Sequence, residues 1–139
     1  MLIHAFATLF MVGPIWIVQV VRDPLFSNGG SEHFKTYEEL HQRLTTWVVG
    51  PAMLLELATA VFVVNYPQPE FATLAGIGLA LIIVIWLATA LLSVPAHNSL
   101  TIEYTTAADH KLVATNWIRT VAWTARGVLV LAIIQRAMK

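Results

Sequence analysis

The stretch TNWIRTVAWTAR, Thr115 to Arg126, carries an asparagine and two arginines inside an otherwise apolar run. At about 3.6 residues per turn Asn116, Arg119 and Arg126 fall on one side of a helix. An amide beside a guanidinium can hold an anionic or carbonyl oxygen, which is the chemistry of oxyanion stabilisation. Asn116 and Arg119 are therefore candidates for holding a developing oxyanion in a dry site. Imidazoles supply the complementary half: His41 in YEELH and His97 in VPAHNSL are candidate acid/base groups or metal ligands. Glu38 and His41 form E-x-x-H, the spacing with which helical bundles present a carboxylate and an imidazole to one metal ion, and His97 is the companion ligand. The tetrapeptide is common by chance, and two-metal bundles use it twice. The alternative reading has Glu38 and Glu39 solvated at the membrane surface and His41 bonding a loop.

A second group, His4, Glu56 and Arg126, reads as structural. Glu56 and Arg126 are expected to pair, since each is otherwise an unpaired charge in a medium that solvates neither. Trp86 and Trp123 share faces with the polar residues and can line a pocket for a flat lipophilic ligand, with Gln19 as a further polar contact in that pocket. Trp16, Trp47 and Trp117 suit an interfacial belt. Core packing is the alternative for all five tryptophans. No Ser/His/Asp triad, phosphate-cradling glycine loop or dinucleotide fingerprint can be placed on this chain.

The elements that must position these residues are spanning helices. Of 139 residues 58% are hydrophobic and 12% charged, with mean hydropathy +0.71, too apolar for a domain that shows water a polar surface. Apolar runs at Met1 to Val21, Leu44 to Pro69, Phe71 to Ile102 and Leu112 to Gln135 each exceed or approach the roughly 20 helical residues that cross a hydrocarbon core. The first run has no basic leader and no A-x-A-like cleavage site, so it reads as a retained helix. The expected fold is all-α, a transmembrane four-helix up-down-up-down bundle forming one domain over 1–139, with helices at about 1–22, 35–65, 71–96 and 109–136. Asp23-Pro24, the YPQPE segment and Val94-Pro95 are read as helix ends, SNGGS (Ser27 to Ser31) as a loop, and Asp109 or Thr106 as the cap of the last helix. Val12-Gly13-Pro14 before Gln19 and Val49-Gly50-Pro51 before Glu56 form a faint internal echo, too short to establish a duplication.

Projected on helices, the polar residues form one stripe per span, and stripes face the bundle interior because a charge on the lipid face costs roughly 2.5–3.5 kcal/mol. Depth sorts them at about 1.5 Å per residue. Gln19, His41, Ser93, His97 and Asn116 lie within about 10 Å of the loop-side end, Arg119 and Trp86 at about 15 Å, and His4, Glu56 and Arg126 at roughly 25 to 31 Å.

Zero formal net charge and the lack of a basic stripe leave nucleic acid nothing to bind. The absence of cysteine removes thiolate sites and disulfides. Loop charges are nearly balanced; the slight lean is towards cytoplasmic termini in a bacterial inner membrane. The partners expected are the lipid bilayer and a small lipophilic ligand, with a homo-oligomer or larger membrane complex open. Transport is disfavoured because four helices alone leave a narrow path.

VVGPAMLLEL, VPAHNSL and TNWIRTVAWTAR together resemble a group of small bacterial four-helix membrane proteins of unassigned function, themselves distantly like the anthrone-oxygenase-type membrane proteins. In that group the segment written here VVRDPLF tends to carry a histidine at Arg22, and YEELH a second at Glu38. The resemblance implies that His41 and His97 are retained from a histidine set of which two members are replaced. The expected function is a membrane enzyme acting on an aromatic, quinone-like or isoprenoid compound by oxidation or proton transfer, with a transition metal ahead of haem as cofactor. The competing expectation is a non-catalytic lipid, quinone or haem binder, or a small subunit of a larger complex.

Overall fold

The computed structural model describes residues 1–22, 34–66, 69–102 and 105–138. The expected loop at Ser27 to Ser31 and the middle of YPQPE lie outside them. In lipid every backbone N–H and C=O must be satisfied within the chain, and a single helix does this over its whole length. The described residues form four spans accordingly. The first is α1 (Leu2–Ile17) continued by a π-helical turn (Val18–Arg22), and the second is α2 (Phe34–Asn65). A 3-10 turn (Pro69–Phe71) opens the third span, in which α3 (Ala72–Ala88), a π turn (Thr89–Ser93) and α4 (Val94–Ile102) follow without a break. The fourth is α5 (Thr106–Ala137). All four are long and apolar enough to cross a bilayer, so the chain is an integral membrane protein and the bilayer is its solvent.

Two expected boundaries are corrected. The third span does not stop at Val94-Pro95 or at residue 96 but runs to Ile102, with Val94 helical at φ −59°, ψ −48°. A proline inside a helix takes away one N–H and crowds the turn before it. Here the turn before it is the π turn, in which the Val94 N–H reaches Thr89 O, five residues back, and this wider winding makes room for the ring. The fourth span begins at Thr106 rather than 109, because Thr105 is the cap: its side chain accepts the Ala108 N–H at 3.2 Å. Asp109 lies in the first turn and is buried, where it faces the positive end of the helix.

The first span packs against the second and the fourth, and the third against the same two, so the first and last spans close the ring. Gln19 near the end of the first span meets Asn116 near the start of the fourth, while His4 at its beginning meets Thr59 near the end of the second. Neighbours therefore run antiparallel, up-down-up-down. Across the middle lies an apolar layer drawn from every span: Met11 and Ile15, Met53, Ile85, and Ala122 with Trp123. It divides the polar interior into two levels.

Candidate functional site

The level nearer the termini is a closed network. Arg126 Nε donates to Glu56 Oε1 at 2.9 Å, and Trp123 Nε1 donates to Glu56 Oε2 at 3.0 Å. The other Arg126 nitrogens reach Gly78 O on the third span, Thr8 Oγ1 at 3.1 Å and His4 Nε2 at 3.5 Å on the first. Thr59 donates its hydroxyl hydrogen to Leu55 O at 2.7 Å, so it must accept from His4 Nδ1 at 2.9 Å. That fixes the tautomer, with Nε2 as the acceptor turned to Arg126. Arg126 is 1% and Glu56 2% exposed. Every charge here has a charged or dipolar partner, and the cavity beside it holds only ≈ 10 Å³, too little for a ligand. The expected ion pair is present, and its additional partners come from the first, third and fourth spans.

The loop-side level is built differently. Gln19, in the π turn of the first span, donates to Val113 O at 3.4 Å and accepts from Asn116 Nδ2 at 2.9 Å, with Thr120 Oγ1, whose hydrogen is shared with the Asn116 carbonyl, at 3.3 Å. Asn116 Oδ1 in turn accepts from Arg119, from Nε at 3.0 Å and from Nη2. One turn of α5 thus carries a relay that aims the Arg119 guanidinium. On the opposite wall Glu38, fully buried, accepts from His97 Nδ1 on α4 and from Gln42 Nε2 at 3.2 Å. His41 lies between Tyr37, stacked on it at 6.4 Å, and His97, whose ring centroid is 6.5 Å away, and its nitrogens contact Thr45 Oγ1, the nearer at 3.1 Å.

Two cavities of ≈ 350 Å³ each open at this level, a volume in the range of small-molecule sites. One lies between the first and second spans against Pro14, Leu44 and Trp123; the other lies between the second and third against Trp86, Ser93 and His97. Val18, His41, Thr45, Val49 and Arg119 border both. Of the expected site, His41 and Arg119 border both cavities, Trp123 borders the first, and Trp86 and His97 border the second. Trp123 also binds Glu56, so it belongs to both levels. Gln19 and Asn116 are placed otherwise than as direct contacts. They are 3% and 1% exposed, line neither cavity and hold each other and Arg119, so they position the arginine instead of touching a ligand.

Glu38, read in sequence as a metal ligand, spends one oxygen on His97. Among the described residues no group of three or more His, Asp or Glu side chains is placed to share a metal ion. The set Glu38, His41 and His97 does not fit a metal centre.

In the sequence Ser93 stands in the loop-side cluster without an assigned role, and Thr59, the partner of His4, stands in none of the polar stripes. Thr59 stands between Ala58 and Ala60, and Glu56 three residues before it on the same helix face was the available signal. Ser93 stands two residues before Pro95, and the proline was the available signal that its turn departs from α geometry. Comparison of the chain with protein-family models, with curated proteins and with solved structures finds no match in any of the three, so the reading of the site rests on its own residues.

Proposed function

We propose that the chain is a membrane-embedded enzyme that moves a proton on a small lipophilic compound bearing an oxygen function, of the aromatic, quinone-like or isoprenoid kind. The observation that carries the reading is the contrast between levels: one polar cluster is closed on itself, and the other borders two ligand-sized cavities with an imidazole on one wall and a guanidinium on another. Glu38 holds His97 through Nδ1, the arrangement by which a carboxylate orients an imidazole, so the proton is exchanged at Nε2. Removal of a proton from carbon beside a carbonyl, or from a ring hydroxyl, puts negative charge on the ligand's oxygen. Arg119, aimed by Asn116, neutralises that charge where water is scarce. Return of the proton to a different carbon completes an isomerisation that needs no oxidant. Oxidation, the other half of the sequence expectation, would require an acceptor beyond these residues.

The slight lean of the loop charges favours cytoplasmic termini, and the resemblance to small bacterial membrane proteins is compatible with an inner-membrane location, a homo-oligomer or a place in a larger complex. A second reading, a binding module without chemistry, is favoured by one observation: Gln19 and Asn116 are spent on each other and on Arg119. One experiment separates the two. The protein is extracted gently into nanodiscs, the retained lipophile is identified by mass spectrometry, and the sample is incubated in deuterium oxide. Exchange of a carbon-bound hydrogen by the wild type, slowed about 10²- to 10⁴-fold in His97→Ala, supports proton transfer; retention of the compound without exchange leaves only binding.

A further inference from the structure

Many hydroxyls inside the described helices bond a carbonyl of their own helix. Thr46, Thr59, Thr89, Thr115, Thr120 and Thr124 all donate to the carbonyl four residues back, and Ser99 donates three back. Ser93 does not. Its Oγ is 1% exposed as a residue and is the buried side-chain polar atom without a hydrogen-bond partner among the described residues. It closes the π turn Thr89–Ser93, where the backbone bond runs five residues back and the usual carbonyl is out of register. A buried hydroxyl left unbonded is costly, and this one lies on the wall of the second cavity together with His97, Trp86 and Arg119.

The two cavities differ in lining. The one between the second and third spans presents Ser93, Thr89 and His97 beside the flat face of Trp86. The one between the first and second spans is walled mainly by aliphatic side chains, among them Met11, Ile17, Leu44 and Val48. They adjoin along α2, since His41, Thr45 and Val49 of that helix, with Val18 and Arg119, are on both linings. Ile17, Leu44 and Val48 are also exposed, on a face that meets acyl chains.

We propose that the ligand is an amphiphile of two parts, an oxygenated planar ring and an unbranched or prenyl tail, threaded behind the second span. The ring lies against Trp86 with an oxygen bonded by Ser93, and the tail passes Val49 into the aliphatic cavity and on towards the lipid. The proposal rests on the reading of this level as a lipophile site and adds the orientation and the chemical class.

The test measures quenching of tryptophan fluorescence in nanodiscs by two probes, a decyl-tailed benzoquinone and its tail-less parent. Ser93→Ala is expected to weaken both about fivefold, the scale of one neutral hydrogen bond. Val49→Trp, which enlarges a side chain on both linings, is expected to weaken the tailed probe at least tenfold and to leave the tail-less one unchanged. Equal weakening of both probes by Val49→Trp overturns the threading, and unaltered binding in Ser93→Ala overturns the ring position. Ser93→Ala, which removes one oxygen atom, keeps the test decisive if the tryptophan variant does not fold. Failure of the wild type to bind either probe overturns the lipophile reading as well, whereas binding of both with tail-independent affinity overturns only the two-part ligand. Displacement of the tailed probe by phospholipid alone would assign the cavity to a bilayer lipid and end the proposal.

Discussion

Two arginines seven residues apart on α5 have opposite fates because of what surrounds them. Arg126 meets a carboxylate, a carbonyl, a hydroxyl and an imidazole from the three other spans. Arg119 is held by the amide of its own helix and borders both cavities. Truncation should separate them. Glu56→Ala leaves Arg126 buried without its counter-charge and orphans the Trp123 N–H, a loss of about 3–5 kcal/mol in stability, read as a lower melting temperature in detergent. Arg119→Ala removes a half-buried side chain beside open volume, so the melting temperature should stay near wild type while retained ligand is lost. The reverse order in the two melts would mean that the levels have been assigned the wrong way round. The sequence made the Glu56–Arg126 pair legible, because an intramembrane acid and base at matching depth have few other options. It did not reveal that Asn116 faces Gln19. A helical projection gives the side a residue points to, but not which of two inward amides is taken by a neighbour before a ligand can reach it.

At the scale of elements, the two π turns are what helical periodicity could not supply. Val18–Arg22 carries Gln19 and Thr89–Ser93 ends in Ser93, both at the loop-side level; each adds a residue to a turn, and the second does so without ending its helix. Pro95 in sequence reads as a stop, yet the helix passes through it. The spans themselves were legible because a bilayer leaves no alternative to helices of this length. Their close approach is set by small residues, and this gives a prediction with internal controls. A Cβ on Gly127 would stand 3.1 Å from Val12 Cγ2 of the first span, whereas one on Gly13 or Gly76 meets nothing within 4 Å. Alanine at Gly13 or Gly76 should be neutral or raise the melting temperature, since Gly to Ala in a helix gains about 0.5–1 kcal/mol. Alanine at Gly127 should lose that gain by pushing the first and fourth spans apart. Equal melting behaviour of the three variants would mean that Val12 yields freely and that Gly127 does not set the spacing.

For the whole molecule, the two polar levels matter only if the spans alternate in direction, since otherwise His41, His97 and Arg119 could not come to one height. The apolar layer of Met11, Ile15, Met53, Ile85, Ala122 and Trp123 separates a closed end from an open end, and the alternation places the closed end on the side of both termini and of Tyr66. The chain contains no cysteine, so single cysteines report without background. Tyr66→Cys and Met138→Cys substitute exposed residues near the termini-side face, and His110→Cys substitutes an exposed residue in the first turns of α5 on the other. With an impermeant maleimide added to sealed right-side-out vesicles, positions 66 and 138 should share one fate and position 110 the opposite one. Cytoplasmic termini predict that only position 110 labels before the vesicles are opened. Labelling of 110 alone fixes both alternation and orientation; labelling of 66 and 138 alone keeps the bundle and inverts it in the membrane. Labelling of 66 together with 110 from one side would break the alternation, and with it the convergence of imidazole and guanidinium on which the proton-transfer reading stands.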